Sequence, residues 1–306
     1  MSRAPPIYVE IRIHGPLDEL WRLTQTPDLH QRWDLRFTNI DFLPRPDPAQ
    51  PQRFRYATRV GFGRRIEGEG ESVGENLGPA GRSSALKFWS NDPKSLIREG
   101  SGYWKYMPTD DGIRFLTRYD YRTRFGAPGA MVDRLVFRPM LGWATAWSFD
   151  RLRLWIERGI DPVTSMRRCA AHAITRLALA FIWLYQGLVP KLIFPEASGE
   201  LETIRRVGLF EGREPLVLHF AAAVEIIMGL ATVMFWRVRG LLTLQIVLLV
   251  LLGIAAAAGS PRLFTGQFNP ATLTLAMVAL ALIGLIEGRE IPSAANCLRR
   301  EARSTA

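Results

Sequence analysis

The sequence predicts an α+β domain, in which an antiparallel sheet wraps a long C-terminal helix, followed by an all-α four-helix transmembrane bundle. Three observations carry this. Apolar and polar residues alternate with period two through residues 7–125, helical spacing takes over from about 129 to 158, and four apolar stretches follow near 170–189, 216–236, 241–259 and 268–286. Alternation means one buried and one wet face, which favours an antiparallel sheet. A bilayer core is crossed by roughly 20 apolar residues in a helix.

The strands come first. Ile7, Val9, Ile11 and Ile13 alternate with Tyr8, Glu10, Arg12 and His14, and Phe54, Tyr56, Thr58 and Val60 with Arg53, Arg55 and Arg59. Ile113, Phe115, Thr117, Tyr119 and Tyr121 alternate with Arg114, Arg118, Asp120 and Arg122. Two short helices, GPLDELWRLTQ and PDLHQRWD, each opened by a proline, interrupt after the first strand. Leu141, Thr145, Phe149, Leu152 and Ile156 then sit at helical spacing, with Pro139 marking a kink or the helix start. Of the apolar stretches, LLTLQIVLLVLLGIAAAA holds 18 residues without a charge. The expected division is 1–160, a linker at 161–169, the membrane domain at 170–288 and a cytoplasmic tail at 289–306.

Charge and composition exclude several classes. Lys and Arg number 39 against 29 Asp and Glu, a net +10, and both halves of the chain are basic. A mean hydropathy of +0.02 averages a charged half with an apolar half, which rules out a disordered chain. Cys169 and Cys297 are the two cysteines, with no CxxC, so neither a disulfide framework nor a metal site is encoded. The amino terminus has no apolar core of signal-peptide length, so cleavage is not expected. Arginines interleave with aromatics in RFRYATR and RFLTRYDYRTR, but alternation puts the two on opposite faces, so no nucleic acid is expected as a partner.

Basic residues beside the spans set the expected topology. Arg167, Arg168, Arg237, Arg239, Arg289, Arg299, Arg300 and Arg303 fall on one side, while acids dilute the basic residues on the other. An inner (cytoplasmic) membrane protein with both the N-terminal domain and the C-terminus cytoplasmic is the expectation. Five arginines against two acids between Arg151 and Arg168 suit an anionic leaflet.

The segment IYVEIRIHGPLDELWRLTQTPDLHQRWD, with its G-P-x-x-x-x-W and P-x-x-x-x-x-W-D runs, and the element order around it resemble the SRPBCC or START-like superfamily of polyketide-cyclase type over about residues 5–158. That resemblance implies a helix-grip fold and an apolar cavity for a lipid, polyketide, sterol or similar ligand. RLALAFIWLYQGLVPKLIFP, AAAVEIIMGL and FNPATLTLAMVAL resemble the DoxX-like membrane family over about 170–288. Some DoxX relatives are linked to quinol chemistry, so a quinone is the cofactor the resemblance raises.

Ionisable groups inside the spans are the sharpest chemical signal, because a charge in hydrocarbon costs several kcal/mol unless paired or hydrated. Arg176 and Glu225 are offset by roughly 7 Å along the bundle at 1.5 Å per residue, so the two are expected to pair, with His172 on the same face as Arg176. Gln186, His219 and Lys191 are expected nearer the other leaflet. This polar site reads either as a proton or quinone-headgroup site or as a structural ion pair.

In the first domain Trp89, Tyr103, Trp104, Tyr106, Tyr119, Tyr121 and Trp147 are the pocket candidates, with Asp34, Glu99 and Arg118 as polar anchors. Glu67, Glu69 and Glu71 alternate onto one strand face and read as solvated. Gly61, Gly63, Gly68, Gly70 and Gly74 match no phosphate-binding loop and are expected to permit curvature and bulges.

The leading functional reading is a membrane-anchored binding protein that takes a hydrophobic small molecule and presents it at the bilayer. A quinone-linked oxidoreductase subunit and an assembly factor are the alternatives. The partners are then the lipid bilayer and the ligand, with a homo-oligomer or a redox partner protein left open.

Overall fold

The computed structural model describes residues 4–301 apart from 62, 79, 209, 260 and 268. The chain forms two units. Residues 166–291 make one, and everything before them joins the segment from Pro292 onward to make the other.

Among the described residues of the first unit, seven strands form one antiparallel sheet in the order β1-β7-β6-β5-β4-β3-β2. β1 (Ile7–Ile13) leads into α1 (Leu17–Gln25) and α2 (Pro27–Trp33), then β2 (Asn39–Phe42), β3 (Arg53–Val60), β4 (Arg64–Gly78), β5 (Gly81–Trp89), β6 (Ile97–Thr109) and β7 (Gly112–Thr123) follow as a meander. Proline starts both short helices, at Pro16 just before α1 and at Pro27 in the first turn of α2, where its missing N–H costs nothing. The chain then forms α3 (Gly126–Val132), a π-helical turn over Asp133–Phe137, and α4 (Arg138–Arg158). Pro139 thus stands at the start of α4.

The odd residues of β7 and β1 turn inward and α4 packs across β1. Phe149 of α4 stacks on Phe115 with centroids 4.4 Å apart, and Thr145 shares a 2.8 Å hydrogen bond with the Tyr119 hydroxyl. This is the helix-grip arrangement. The sheet is irregular between Ser72 and Gly74, where a bulge lets a long strand bend. Glu67 and Glu69 pair with Arg65, Arg53 and Arg55 on the convex face.

Residues 292–301 close the first unit. Leu298 and Glu10 exchange backbone hydrogen bonds of 2.9 Å, which extends the sheet beyond β1. The fully buried Asp150 accepts from Ser293 N at 2.7 Å and Asn296 Nδ2 at 2.9 Å, while Arg153 donates to its other oxygen. Cys297 Sγ donates to the Ala146 carbonyl at 3.2 Å.

The second unit contains α6 (Glu200–Val207) and most of a set of long apolar helices, α5 (Pro162–Leu188), α7 (Glu214–Met234), α8 (Arg239–Gly259) and α9 (Pro270–Glu287). These four are, among the described residues, the helices long and apolar enough to cross a membrane. Leu179, Trp183, Met228, Leu242, Met277 and Ala281 form its core, and large apolar side chains such as Phe181, Phe220, Met234 and Leu275 cover its outside, as lipid contact requires. Gly187 lies under Ala222 and Ile226, and Gly229 under Ala180 and Leu184. A β-carbon at either glycine would come within about 3 Å of the facing helix, so α5 and α7 approach through small residues.

Two sequence expectations change here. Residues 162–169, expected as a linker, are the first turns of α5. Of the five arginines whose net charge suits an anionic leaflet, Arg151 is buried, donating to the Pro162 carbonyl, and Arg153 pairs with Asp150 and Glu157.

Candidate functional site

In the first unit, aromatic residues and glycines alternate across the concave face. Phe54 pairs with Gly70, Gly70 with Phe88, Phe88 with Gly100 and Gly100 with Tyr121, so one row crosses five strands. A side chain at Gly70 or Gly100 would collide with the Phe54 or Phe88 ring, so these rings lie flat over the glycines. Tyr56 lies likewise over Gly68, and Phe37 meets Tyr56 edge-on at 5.6 Å. Phe37, Phe54, Tyr56 and Phe88 are only half-buried. They form an aromatic platform on the β3–β5 half of the sheet, away from the β1 side on which α4 packs.

A buried charge cluster borders this platform. Asp34 accepts from Arg36 Nε at 2.9 Å and Nη2 at 2.6 Å, and from His30 Nε2 at 3.0 Å. The Arg36 guanidinium lies 5.5 Å from the centres of the Phe37 and Tyr119 rings. Burial alone would push the Asp34 carboxyl up, but Arg36 and His30 hold it well below the usual carboxylate range. Burial pushes the Tyr56 phenol up to about 12 and raises Tyr119 as well, so both stay neutral near pH 7. His30 is caged by Trp33, Phe37 and Trp104, with ring centroids 4.9–5.3 Å away. The arrangement offers stacking surface with one polar corner, suited to holding a flat or extended apolar molecule.

The pocket candidates divide by strand face. Trp104, Tyr106, Tyr119 and Tyr121 are buried on the concave face. Tyr106 is sealed in the core, bonded to Thr24 and Gln25 at 2.8 Å. Trp89 and Tyr103 lie on the convex face, where Arg53 and Lys105 sit over their rings, and cannot line a concave pocket. Trp147 stacks on Trp143 and carries the Arg151 guanidinium. Of the polar anchors, Asp34 is at the platform, whereas Glu99 pairs with Arg122 and Arg118 with Glu301 on the exposed surface. His30, Arg36, Phe37, Phe54, Tyr56 and Phe88 were not among the candidates. The i,i+4 spacing of His30 and Asp34 on α2 is the signal that could have found the cluster.

In the second unit the expected Arg176–Glu225 pair does not form. Arg176, fully buried, donates to the carbonyls of Thr232, Phe235 and Val238 at 3.3, 3.2 and 2.9 Å. It therefore caps the C-terminal end of α7, where carbonyls lack helical partners and the dipole favours a cation. Glu225 lies seven residues earlier in α7, about 10 Å along the helix, and pairs with Lys191 at 3.0 Å. Lys191 also reaches Glu200 at 3.2 Å and the Gln186 carbonyl at 3.3 Å. The pair does not form because Arg176 stands level with the C-terminal end of α7 and not with its centre. His172 donates through Nε2 to the Trp236 carbonyl at 3.0 Å. His219 is on the outer surface, bonded to the Pro215 carbonyl of its own helix. A buried chain not foreseen joins three helices: Trp183 Nε1 donates to Gln245 Oε1 at 3.1 Å, and Gln245 Nε2 to Thr232 Oγ1 at 2.7 Å.

Residues 180–282 match the DoxX-like family. A curated relative, described as uncharacterized membrane protein YndG of Bacillus subtilis (strain 168), is 51% identical over 187 residues, covering 60% of this chain and 69% of that protein. The chain belongs to the same family of membrane proteins as YndG, and its residues 180–282 are DoxX-like. The likeness to YndG is longer than the whole of unit 166–291, so it continues into the first unit. Among solved structures, the di-domain ARO/CYC StfQ from the steffimycin biosynthetic pathway matches with TM-score 0.41 and 18% identity, over 50% of each chain. Hypothetical protein jhp0584 from Helicobacter pylori matches with TM-score 0.39 and 21% identity, over 49% of this chain and 86% of that one. A START superfamily protein from Mycobacterium smegmatis gives 0.34 and 12%, over 45% and 91%. Within the DoxX-like unit, Trp183, Lys191, Glu225 and Gln245 fall inside the matched range, while His172 and Arg176 precede it.

Proposed function

We propose that the protein binds a hydrophobic small molecule on the aromatic platform of its first unit and presents it at the membrane that its DoxX-like unit spans. The observation that carries the reading is the row of half-buried rings laid over Gly68, Gly70 and Gly100. Half-buried rings on a concave sheet gain free energy when an apolar molecule covers what remains uncovered, about 25 cal/mol for each Å² removed from water. Arg36, held on Asp34 and beside Tyr119, offers a polar contact at one edge. The membrane in this reading is the inner (cytoplasmic) one, with the first unit on the cytoplasmic side, supported by Arg167, Arg168, Arg237, Arg239, Arg289, Arg299 and Arg300 on that side of the spans.

The test compares full-length protein with Phe54→Ser and Phe88→Ser variants, each purified in mild detergent, by mass spectrometry of extracted small molecules. The expected result is one apolar species retained by the wild type and reduced roughly tenfold by either change, the equivalent of about 1.4 kcal/mol. Equal retention by all three proteins, or none by the wild type, overturns the reading.

A further inference from the structure

The segment that joins the sheet to α4 presents its apolar side outward. Met131, Val132, Leu135, Val136, Met140 and Trp143 recur on one helical face and are 47–69% exposed. The opposite face is polar and turned inward. Asp133 is buried, accepting from the Tyr121 hydroxyl at 2.6 Å and from Arg138 Nε at 2.9 Å. Arg138 also donates to Asp120 at 3.0 Å and to the Pro5 carbonyl at 2.9 Å. The π-helical turn at Asp133–Phe137 inserts an extra residue, which is what lets Asp133 face in while Leu135 and Val136 face out. A helix that faces water has the reverse pattern, and exposed apolar patches of this kind mark interaction surfaces.

Charge and connectivity identify the partner. Of the three arginines between Arg124 and Trp143, Arg138 is spent on Asp133 and Asp120 and Arg124 donates to the Ser90 carbonyl, so Arg134 carries the outward-facing charge of this segment. Arg134 is exposed beside the apolar face. Three residues, Gly159, Ile160 and Asp161, separate the end of α4 from the start of the first apolar helix. The 21 residues of α4 span about 31 Å, so the chain tethers this face within a few tens of ångströms of a bilayer, at high effective concentration. We propose that the outer face of α3 and early α4 seats in the headgroup region of an anionic leaflet, as an interfacial amphipathic helix does. This surface needs no ligand on the platform.

The test places an environment-sensitive NBD fluorophore on L135C in the full-length chain, with Cys169 and Cys297 replaced by Ala. The protein is reconstituted in vesicles of equal parts phosphatidylcholine and phosphatidylglycerol containing spin-labelled lipid. The proposal expects emission at position 135 to fall by at least about half, while a probe on K87C, on the exposed convex face, is unaffected. An unquenched probe at 135 overturns it. So does a blue-shifted but unquenched probe, which is the signature of a second protein copy on this face. Equal quenching in phosphatidylcholine alone overturns its anionic part. Because Val136 is exposed, V136D folds and serves as the second variant, with quenching at 135 expected to drop.

Discussion

Asp34 is buried yet receives three charge-assisted hydrogen bonds, two from Arg36 and one from His30. Removing its charge by Asp34→Asn leaves the guanidinium without a counter-ion, a loss of about 3–5 kcal/mol for a buried pair. The expected outcome is a lowered melting temperature for the full-length protein in detergent at pH 7. Its folded pKa is depressed, so the stability it contributes is complete above the unfolded value near 4 and is lost as pH falls toward the lower folded one. Wild-type stability should therefore fall more steeply than that of Asp34→Asn as the pH drops below about 4. Cys297 gives a second residue-scale prediction. Burial pushes its thiol up to about 12, and the thiolate is the reactive form. Iodoacetamide should modify Cys297 slowly in the native protein, and Asp150→Asn, which weakens the hold on Ser293 and Asn296, should accelerate it at least about tenfold. A rate unchanged by that substitution contradicts the docking of residues 292–301. The misplaced aromatics were legible at this same scale. Trp89 is two residues from Lys87 and Tyr103 two from Lys105, so each shares the face of a lysine, and strand parity already put both rings outside.

At the scale of elements, the sequence patterns that have a short period were largely read correctly. β1 and β7 bury the expected odd residues, β3 departs from strict alternation with Ala57 buried and Val60 exposed, and both short helices start at their prolines. What could not be read was the level of one helix against another, since periodicity gives a helix its face but not its axial offset. The polar start of α5, with Arg167 and Arg168, looks like a linker in composition but is helical, and Arg176 stands level with the end of α7 and not with Glu225. Gln245 was hidden for a related reason, as one amide in an otherwise apolar span whose partners, Trp183 and Thr232, come from two other helices. A double-mutant cycle tests the revised pairing. Arg176→Leu and Glu225→Gln should be additive within about 0.5 kcal/mol, whereas Lys191→Met and Glu225→Gln should couple by more than that. Coupling in the first pair and additivity in the second would restore the discarded pairing. The platform belongs to this scale too, because it needs the cross-strand register that brings Gly70 between Phe54 and Phe88, and no local pattern fixes that register.

For the whole molecule, the return of residues 292–301 to the first unit was not legible in the sequence. PSAANCLRR has no periodicity to announce a docking strand, and its partner residues, Glu10, Ala146 and Asp150, are over 140 positions away. Its consequence is topological. Both ends of the DoxX-like unit connect to one folded body, so an even number of bilayer crossings is expected, as four apolar helices would supply. Cysteines introduced at Lys87 and Arg299, both exposed, should react with a membrane-impermeant maleimide from the same side. Reaction from opposite sides would break the first unit apart. The central claim, that this unit holds an apolar molecule on its ring-and-glycine platform, is tested most directly by photo-crosslinking a diazirine-bearing fatty acid to the full-length protein and mapping the modified peptides. The account predicts labelling within β3–β5, between Phe54 and Phe88, that is lost in Phe88→Ser. Labelling confined to the apolar helices, with the β3–β5 peptides unmodified, would contradict it.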